Sequence, residues 1–451
     1  MSELWSLGKE AGLDKEMNRF TVGEDHILDT VLIEADVLGS IAHAKMLSTI
    51  GILTDEEFAK IRRELCKVLA AAKKGTFKIR QSDEDVHTAV ENRLTKKLGD
   101  LGKKIHTARS RNDQIIVDTR IYTRERLVGI QEDLLRTAAV LNDLAGKHKN
   151  VPMPGRTHTQ LAMPSSVGLW LSAFAESLMD DLKVVQTAAE LNNQCPLGSA
   201  ASYGVALPID RQMTSDLLGF AKVQNNVLYA NNSRGKIEAV VIFALAEIMQ
   251  DLAKLSNDLI LFSIPEVGYF TLPEKYCPGS SIMPQKRNPG PLELTRAKAN
   301  AVEACLYQIM GITRTLPSGY NRDLQETKGP LMRALDTTSS CLRIIRLVFA
   351  NVKVDKKRLI ESFVPELFAA DEALDLARQG VPFRVAYQQI KRKLKTLKTS
   401  DPTANIQSKT HLGAPGNLGL DKLAAAIDAA MAAVSAERKR LARVRKALLN
   451  L

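Results

Sequence analysis

Residues 236–264 read KIEAVVIFALAEIMQDLAKLSNDLILFSI, and the spacing of the large apolar side chains in this stretch decides the fold class. Val241, Leu245, Ile248, Leu252, Leu255, Leu259 and Phe262 alternate four and three apart. That period places all of them on one stripe of an α-helix, the pattern of a heptad seam, whereas a strand would scatter them over two faces. At 1.5 Å per residue the helix is a rod of roughly 40 Å. A seam of that length has to be buried on other helices.

Partners are present on both sides. Leu127, Ile130, Leu134 and Leu141 recur with similar spacing after Asp113, as do Leu171, Phe174, Leu178, Leu182 and Val185 after Pro164. Two more candidate helices follow Pro291 and Pro330. Five long helices with apolar stripes predict an all-α chain built on a helical bundle. No strand–helix alternation and no G-x-G-x-x-G opening is visible, which argues against a dinucleotide fold. Up to about residue 108 the pattern is one of shorter helices, with a break at Gly51, an N-cap at Thr54 and a stop at Gly75. After about residue 357 shorter helices are again expected, with RQGVPFR (378–384) as a stop signal. The expected organisation is therefore 1–108 as an N-terminal helical domain, 109–357 as the central bundle and 358–451 as a C-terminal helical domain.

The chain has 451 residues, 45% hydrophobic and 25% charged, which is a globular composition. At about 150 residues per domain its length suggests roughly three domains. No apolar run is long enough to span a bilayer. The N-terminal MSELWSLGKEAGLDKEMNRF carries charges where a signal peptide needs an apolar core, so a cytoplasmic protein without membrane contact is expected. Cys66, Cys195, Cys277, Cys305 and Cys341 are odd in number and scattered, which speaks against a disulfide framework or a thiolate metal site. The seven histidines show no metal-ligand spacing, and chemistry without a metal is expected.

A net charge of +11 raises the question of nucleic acid. Much of the excess sits in RVAYQQIKRKLKTLKT (384–399) and AERKRLARVRKALLN (436–450). These read as amphipathic helices with a cationic outer face. Only 5% of the residues are aromatic, too few for stacking platforms, so no nucleic-acid partner is expected.

Polar, helix-breaking segments fall at the ends of the long helices, where functional residues concentrate. Taken singly, each also has a plain structural reading. Arg109, Ser110, Arg111 and Asn112 could be a solvated helix start with Asp113 as the cap, and His158 in RTHTQ could be a hydrogen-bonded core histidine. Glu293 opens a helix, where the dipole favours a carboxylate. Tyr320, Gln325 and Lys328 would ordinarily be surface residues, and Ser280 and Ser281 turn residues. In combination, the lysines, arginines and asparagines form a donor set for carboxylates, beside a histidine and a carboxylate able to move a proton. Such parts suit removal of a proton next to a carboxylate, with cations and amides stabilising the intermediate.

The loop GSSIMPQKRNP (279–289) resembles the signature loop of the aspartase/fumarase superfamily, whose members release fumarate from succinyl-containing substrates. DVHTAVENRL (85–94), HTARSRNDQ (106–114), PLGSAASYGVALPIDR (196–211), GYNRDLQETKGPL (319–331) and ARQGVPFR (377–384) are collinear with the argininosuccinate lyase branch. The resemblance implies an all-α homotetramer whose long helices share a central bundle and whose active sites combine loops from three subunits. It implies reversible β-elimination of argininosuccinate to arginine and fumarate, with no cofactor. It also implies roles: Ser280 as the base at Cβ, Lys286 and Asn288 as holders of the aci-carboxylate, and His158, oriented by Glu293, as the group handling the proton of the departing nitrogen. Ser110, Arg111, Asn112, Thr157, Arg234, Tyr320, Gln325 and Lys328 match substrate-binding positions, with Asp85 and His87 in supporting roles.

The chain departs from that pattern in three places. NNSRGK (231–236) stands where relatives have an aspartate-rich run, leaving only Arg234 of it. Gly290 replaces a common aspartate. FTVGEDHILD (20–29) lacks the usual substrate-binding serine, for which Asp25 is the candidate substitute. The elimination machinery is expected to be spared, and recognition of the amino-acid end is where the chain differs.

Overall fold

The computed structural model describes residues 14–451; residues 1–13, which hold most of the stretch read for a targeting signal, lie outside it. The seam of 236–264 forms a continuous helix, and all seven of its residues are buried, from Val241 to Phe262. Around it are the other long helices the sequence predicts. The helices carrying the architecture are α1 (Lys15–Val22), α2 (Ile33–Thr49), α3 (Asp55–Lys73), α4 (Val86–Leu98), α5 (Arg111–Lys147), α6 (Val167–Asn192), α7 (Lys236–Ser263), α8 (Gly290–Thr313), α9 (Lys328–Phe349), α10 (Ala369–Arg378), α11 (Phe383–Lys393) and α12 (Leu420–Leu449). Helices α5 to α9 pack on one another as the bundle, with α7 against α6, α8 and α9, and α5 against α6 and α9. At one end Trp170 is ringed by Phe174, Phe262, Phe270 and Phe349 at centroid distances of 5.0–6.4 Å.

The local signals of the N-terminal part hold. Thr54 caps α3 through a reciprocal box with Glu57. Gly51 and Gly75 adopt φ of +78° and +68°, values that glycine reaches without a Cβ clash. Buried residues of α2, α3 and α4 form a second core together with Val117 and Ile121 of α5. The 37 residues of α5 thus serve two cores, one along each stretch of its length.

Two features differ from the sequence expectation. The C-terminal part contains a helix of 30 residues, α12, rather than only short ones, and it packs on α5. Its middle is alanine-rich and lacks large apolar residues at three-and-four spacing. Only Ile427, Val434, Leu441 and Leu448 are buried, seven residues apart each time, so a single row makes the contact. The cations of this helix are largely spoken for: Arg438 pairs with Glu132, Arg440 with Glu437 and Arg445 with Glu34.

The second difference is local. PGRTHTQ is not an irregular lead-in to α6 but part of an antiparallel hairpin, β1 (Pro152–Thr157) with β2 (Gln160–Ser166). Thr157 pairs with Gln160, so His158 and Thr159 are the two turn residues. Their φ values of +52° and +63° are those a type I′ turn requires. Two further two-stranded pairs are only two residues long each, and the fold remains all-α in class. Among the described residues no helix is long and apolar enough to cross a membrane.

Candidate active site

A cavity of about 190 Å³ opens where the first helices meet the ends of α5, α7 and α9. Its walls include Asp25, Asp29, Glu84, Asp85, His87, Arg111, Asn112, Arg234, Tyr320, Gln325 and Lys328. Eight of these were singled out from the sequence as substrate-binding or supporting residues. A wider cleft of about 660 Å³ adjoins it and shares Arg111 and Asn112, with Ser110 on its wall.

The helix start at 110–113 shows how the sequence builds this wall. Ser110 caps α5, its hydroxyl accepting from Asn112 N–H at 3.2 Å. Asp113 completes the box by accepting from Ser110 N–H at 2.9 Å, so Ser110 is the cap and Asp113 its reciprocal partner. The other oxygen of Asp113 accepts from Gly198 N–H at 3.0 Å and Ala200 N–H at 2.9 Å, tying the PLGSAASYG loop to the same turn. Burial pushes the Asp113 carboxyl up, against the pull of those amides. Arg111 then points to Glu84 at 2.7 Å and Asp85 at 3.3 Å. Arg109 turns inward instead, donating to Ser40 Oγ and the carbonyl of Ile105, and is structural.

Asp85 caps α4 by accepting from Thr88 N–H. Burial alone would raise it, but the charges of His87 and Arg111 and that amide hold it below the usual carboxylate range. His87 sits under the cavity with Nδ1 at 2.8 Å from Asp36 and 3.6 Å from Asp118. Burial opposes its charge, yet the bond to Asp36 and the charges of Asp85, Asp36 and Asp118 prevail and raise it to about 9. Burial and Asp36 push Asp118 upward in turn. Asp36, His87 and Asp118 are the grouping among the described residues whose atoms lie close enough to ligate a metal. Their geometry is that of an imidazolium clamped between carboxylates.

Lys328, far from being a surface residue, is 2% exposed and meets both Asp29 at 2.6 Å and Asp25 at 2.7 Å. Asp29 also accepts from Val86 N–H. Gln325 donates to the carbonyls of Thr21 and Val22, which fixes α1 to the wall. The NNSRGK departure proves to be well used. Asn232 accepts from Gly319 N–H at 2.8 Å and reaches Ser318, which sets Tyr320, and Asn231 donates to Ser199. Arg234 lies 5.9 Å from the Tyr320 ring. Gly235 beside it has φ +84°, and a Cβ there would stand 2.2 Å from Thr313 Cγ2.

Sequence reading overlooked Asp29, Glu84, Thr21 and Arg322, which also line the cavity. The i, i+4 spacing of Asp25 and Asp29 on one helical turn was the available signal.

The other candidates do not line this cavity. His158 and Thr157 are exposed at the hairpin tip, and Glu293 is exposed in the first turn of α8. In the 277–290 loop, Lys286 is exposed and Asn288 and Ser280 are partly so. This loop is closed at its base by Asn288, whose N–H donates to Pro278 O at 3.0 Å and whose amide reaches Gly279 O. Ser280 Oγ accepts from Met283 N–H at 3.1 Å and Ile282 N–H at 3.4 Å. One chain thus presents a substrate-sized polar pocket at one place and a serine loop and a histidine hairpin, both facing solvent, at others.

Comparison with known proteins agrees with this geometry. A family described as Lyase matches residues 12–303. Argininosuccinate lyase of Sorangium cellulosum is 43% identical over 94% of this chain and 98% of its own. That of Parabacteroides distasonis is also 43% identical, over 97% of each chain. Among solved structures, EDDS lyase in complex with formate superposes with a TM-score of 0.79 at 24% identity, covering 98% of this chain and 95% of its own. The class II fumarase of Schistosoma mansoni gives 0.73 at 16% identity over 84% and 88%. These two share the fold. With relatives of that identity spanning nearly the full length of both partners, the chain belongs to the argininosuccinate lyase family.

Proposed function

We infer that the protein is a carbon–nitrogen lyase that cleaves argininosuccinate reversibly to L-arginine and fumarate, as in arginine biosynthesis. The observation that carries this is the cavity lined by Arg111, Asn112, Arg234, Tyr320, Gln325 and Lys328, on a chain 43% identical to argininosuccinate lyases over nearly its whole length. The substrate is a polyanion with a cationic centre, and a wall that alternates guanidinium, ammonium, amide and carboxylate groups suits it.

Ser280 removes the Cβ proton. A serine hydroxyl is a weak base, and the two backbone N–H groups aimed at its oxygen stabilise the alkoxide it must become. Lys286 and Asn288 hold the doubly charged carboxylate of the intermediate. His158, oriented by Glu293, delivers the proton to the departing guanidino nitrogen. Closure of the Gly- and Pro-flanked loop excludes water during these steps.

Because these groups face solvent in one chain while the cavity lies elsewhere, the complete site is assembled from several copies. Exposed apolar residues on the bundle, among them Phe243, Leu294, Tyr307, Met310 and Leu347, support a homotetramer with shared sites. Five unpaired thiols suit the reducing cytoplasm.

The test is the ultraviolet absorbance of fumarate when purified protein meets argininosuccinate. A rise is expected, and Ser280→Ala should abolish it while leaving the oligomer intact. Fumarate from another N-substituted aspartate but not from argininosuccinate would reassign the substrate, and no fumarate from any would mark a structural paralogue.

A further inference from the structure

The acidic groups of the cavity are not equivalent. Glu84 and Asp85 are both committed to Arg111. Asp29 is fully buried and committed twice, to Lys328 at 2.6 Å and to Val86 N–H. Asp25 touches the same Lys328 ammonium at 2.7 Å, but its side chain remains 17% exposed, in the wall of the cavity. One lysine therefore faces two carboxylates, and the excess negative charge falls on the one that solvent and ligand can reach. Burial pushes Asp25 up to about 6, with Asp29 adding to the rise and Lys328 and Arg234 opposing it. An incoming cation would relieve that cost. Arg234 and Tyr320 line the same cavity and can take an anion next to it.

An α-amino acid presents that pair of charges, an ammonium and a carboxylate on one carbon. We propose that Asp25 is a specificity-determining residue that pairs with the α-ammonium of the amino-acid end of the substrate, with Arg234 receiving the neighbouring carboxylate. The proposal rests on the argininosuccinate reading above and names the chemistry by which this chain selects the leaving group. It also gives a purpose to the departure at FTVGEDHILD, where a carboxylate stands at the candidate position for a serine.

The experiment compares kcat/KM for argininosuccinate with that for its des-amino analogue, in which the α-ammonium is replaced by hydrogen. Unaltered enzyme should prefer argininosuccinate by roughly 10- to 100-fold, the worth of one buried charge-assisted contact. In Asp25→Asn and Asp25→Ser the preference should fall to within about threefold, mainly through KM for argininosuccinate. If Asp25 only braces Lys328, both substrates will suffer equally and the preference will persist, which overturns the proposal. Circular dichroism of each variant separates that outcome from misfolding, and a misfolded Asn variant leaves the Ser variant to decide. Should the unaltered enzyme release no fumarate from argininosuccinate, the functional reading falls and this inference with it. Activity with an unchanged preference in the variants removes this inference alone.

Discussion

Replacing Asp113 with asparagine changes one oxygen into an NH2 group at a fully buried position that accepts three backbone N–H groups. The amide has a single oxygen. Its least costly orientation keeps that oxygen on Gly198 and Ala200 and sets NH2 against Ser110 N–H, leaving one buried donor unpaired. Such a loss costs about 1–3 kcal/mol. The neutral amide avoids burying a charge, a cost visible in the raised Asp113 pKa, so the lower half of that range is expected. Alanine leaves all three donors unpaired and should cost about 3–5 kcal/mol. Function should follow, because the box that Asp113 closes aims Arg111 and Asn112 into the cavity; about a tenfold rise in KM is expected for Asp113→Asn. Urea titration followed by far-ultraviolet circular dichroism, at one protein concentration, reads the stability, and fumarate absorbance reads KM. Equal stability of the Asn and Ala variants, or either lying within about 0.5 kcal/mol of the unaltered protein, would refute the reasoning.

Two more predictions concern the scaffold. Leu252 is fully buried in the α7 seam, and Leu252→Ala should destabilise the protein by about 2–5 kcal/mol in the same titration; a loss under about 1 kcal/mol would mean that the seam is not packed. The His87 pKa, raised in the folded state from 6.5 to about 9, corresponds to about 3 kcal/mol of stability, fully present below pH 6.5 and lost as pH rises through 9. Thermal denaturation at about pH 6 and about pH 10 should show this loss for the unaltered protein and a smaller one for His87→Gln; equal slopes would remove the imidazolium clamp.

The bundle was legible because its signal is repetitive. A seven-residue period over nearly 30 positions has one low-energy solution in water, and the sequence alone dictates helices, their length and their need for partners. The loops were legible for the opposite reason, as breaks in that period rich in proline, glycine and donors. Helix α12 was not, because a single buried residue every seven positions in an alanine-rich run leaves too little apolar contrast to stand out.

What the sequence by itself determined is thus the all-α class, the five central rods and the inventory of groups able to eliminate fumarate. Only the tertiary structure decided which of those groups meet. Lys328 and Asp29 are 299 positions apart, and no local pattern announces their ion pair. Arg109 and Arg111 are two residues apart and look alike in sequence, yet one is spent inside the N-terminal core and the other faces the cavity, because a helix turns about 200° between them. The same holds at the hairpin and the serine loop, where chain direction alone cannot say that His158 and Ser280 point away from the pocket they are expected to serve. Periodicity is a property of neighbours along the chain; a site is a property of neighbours in space.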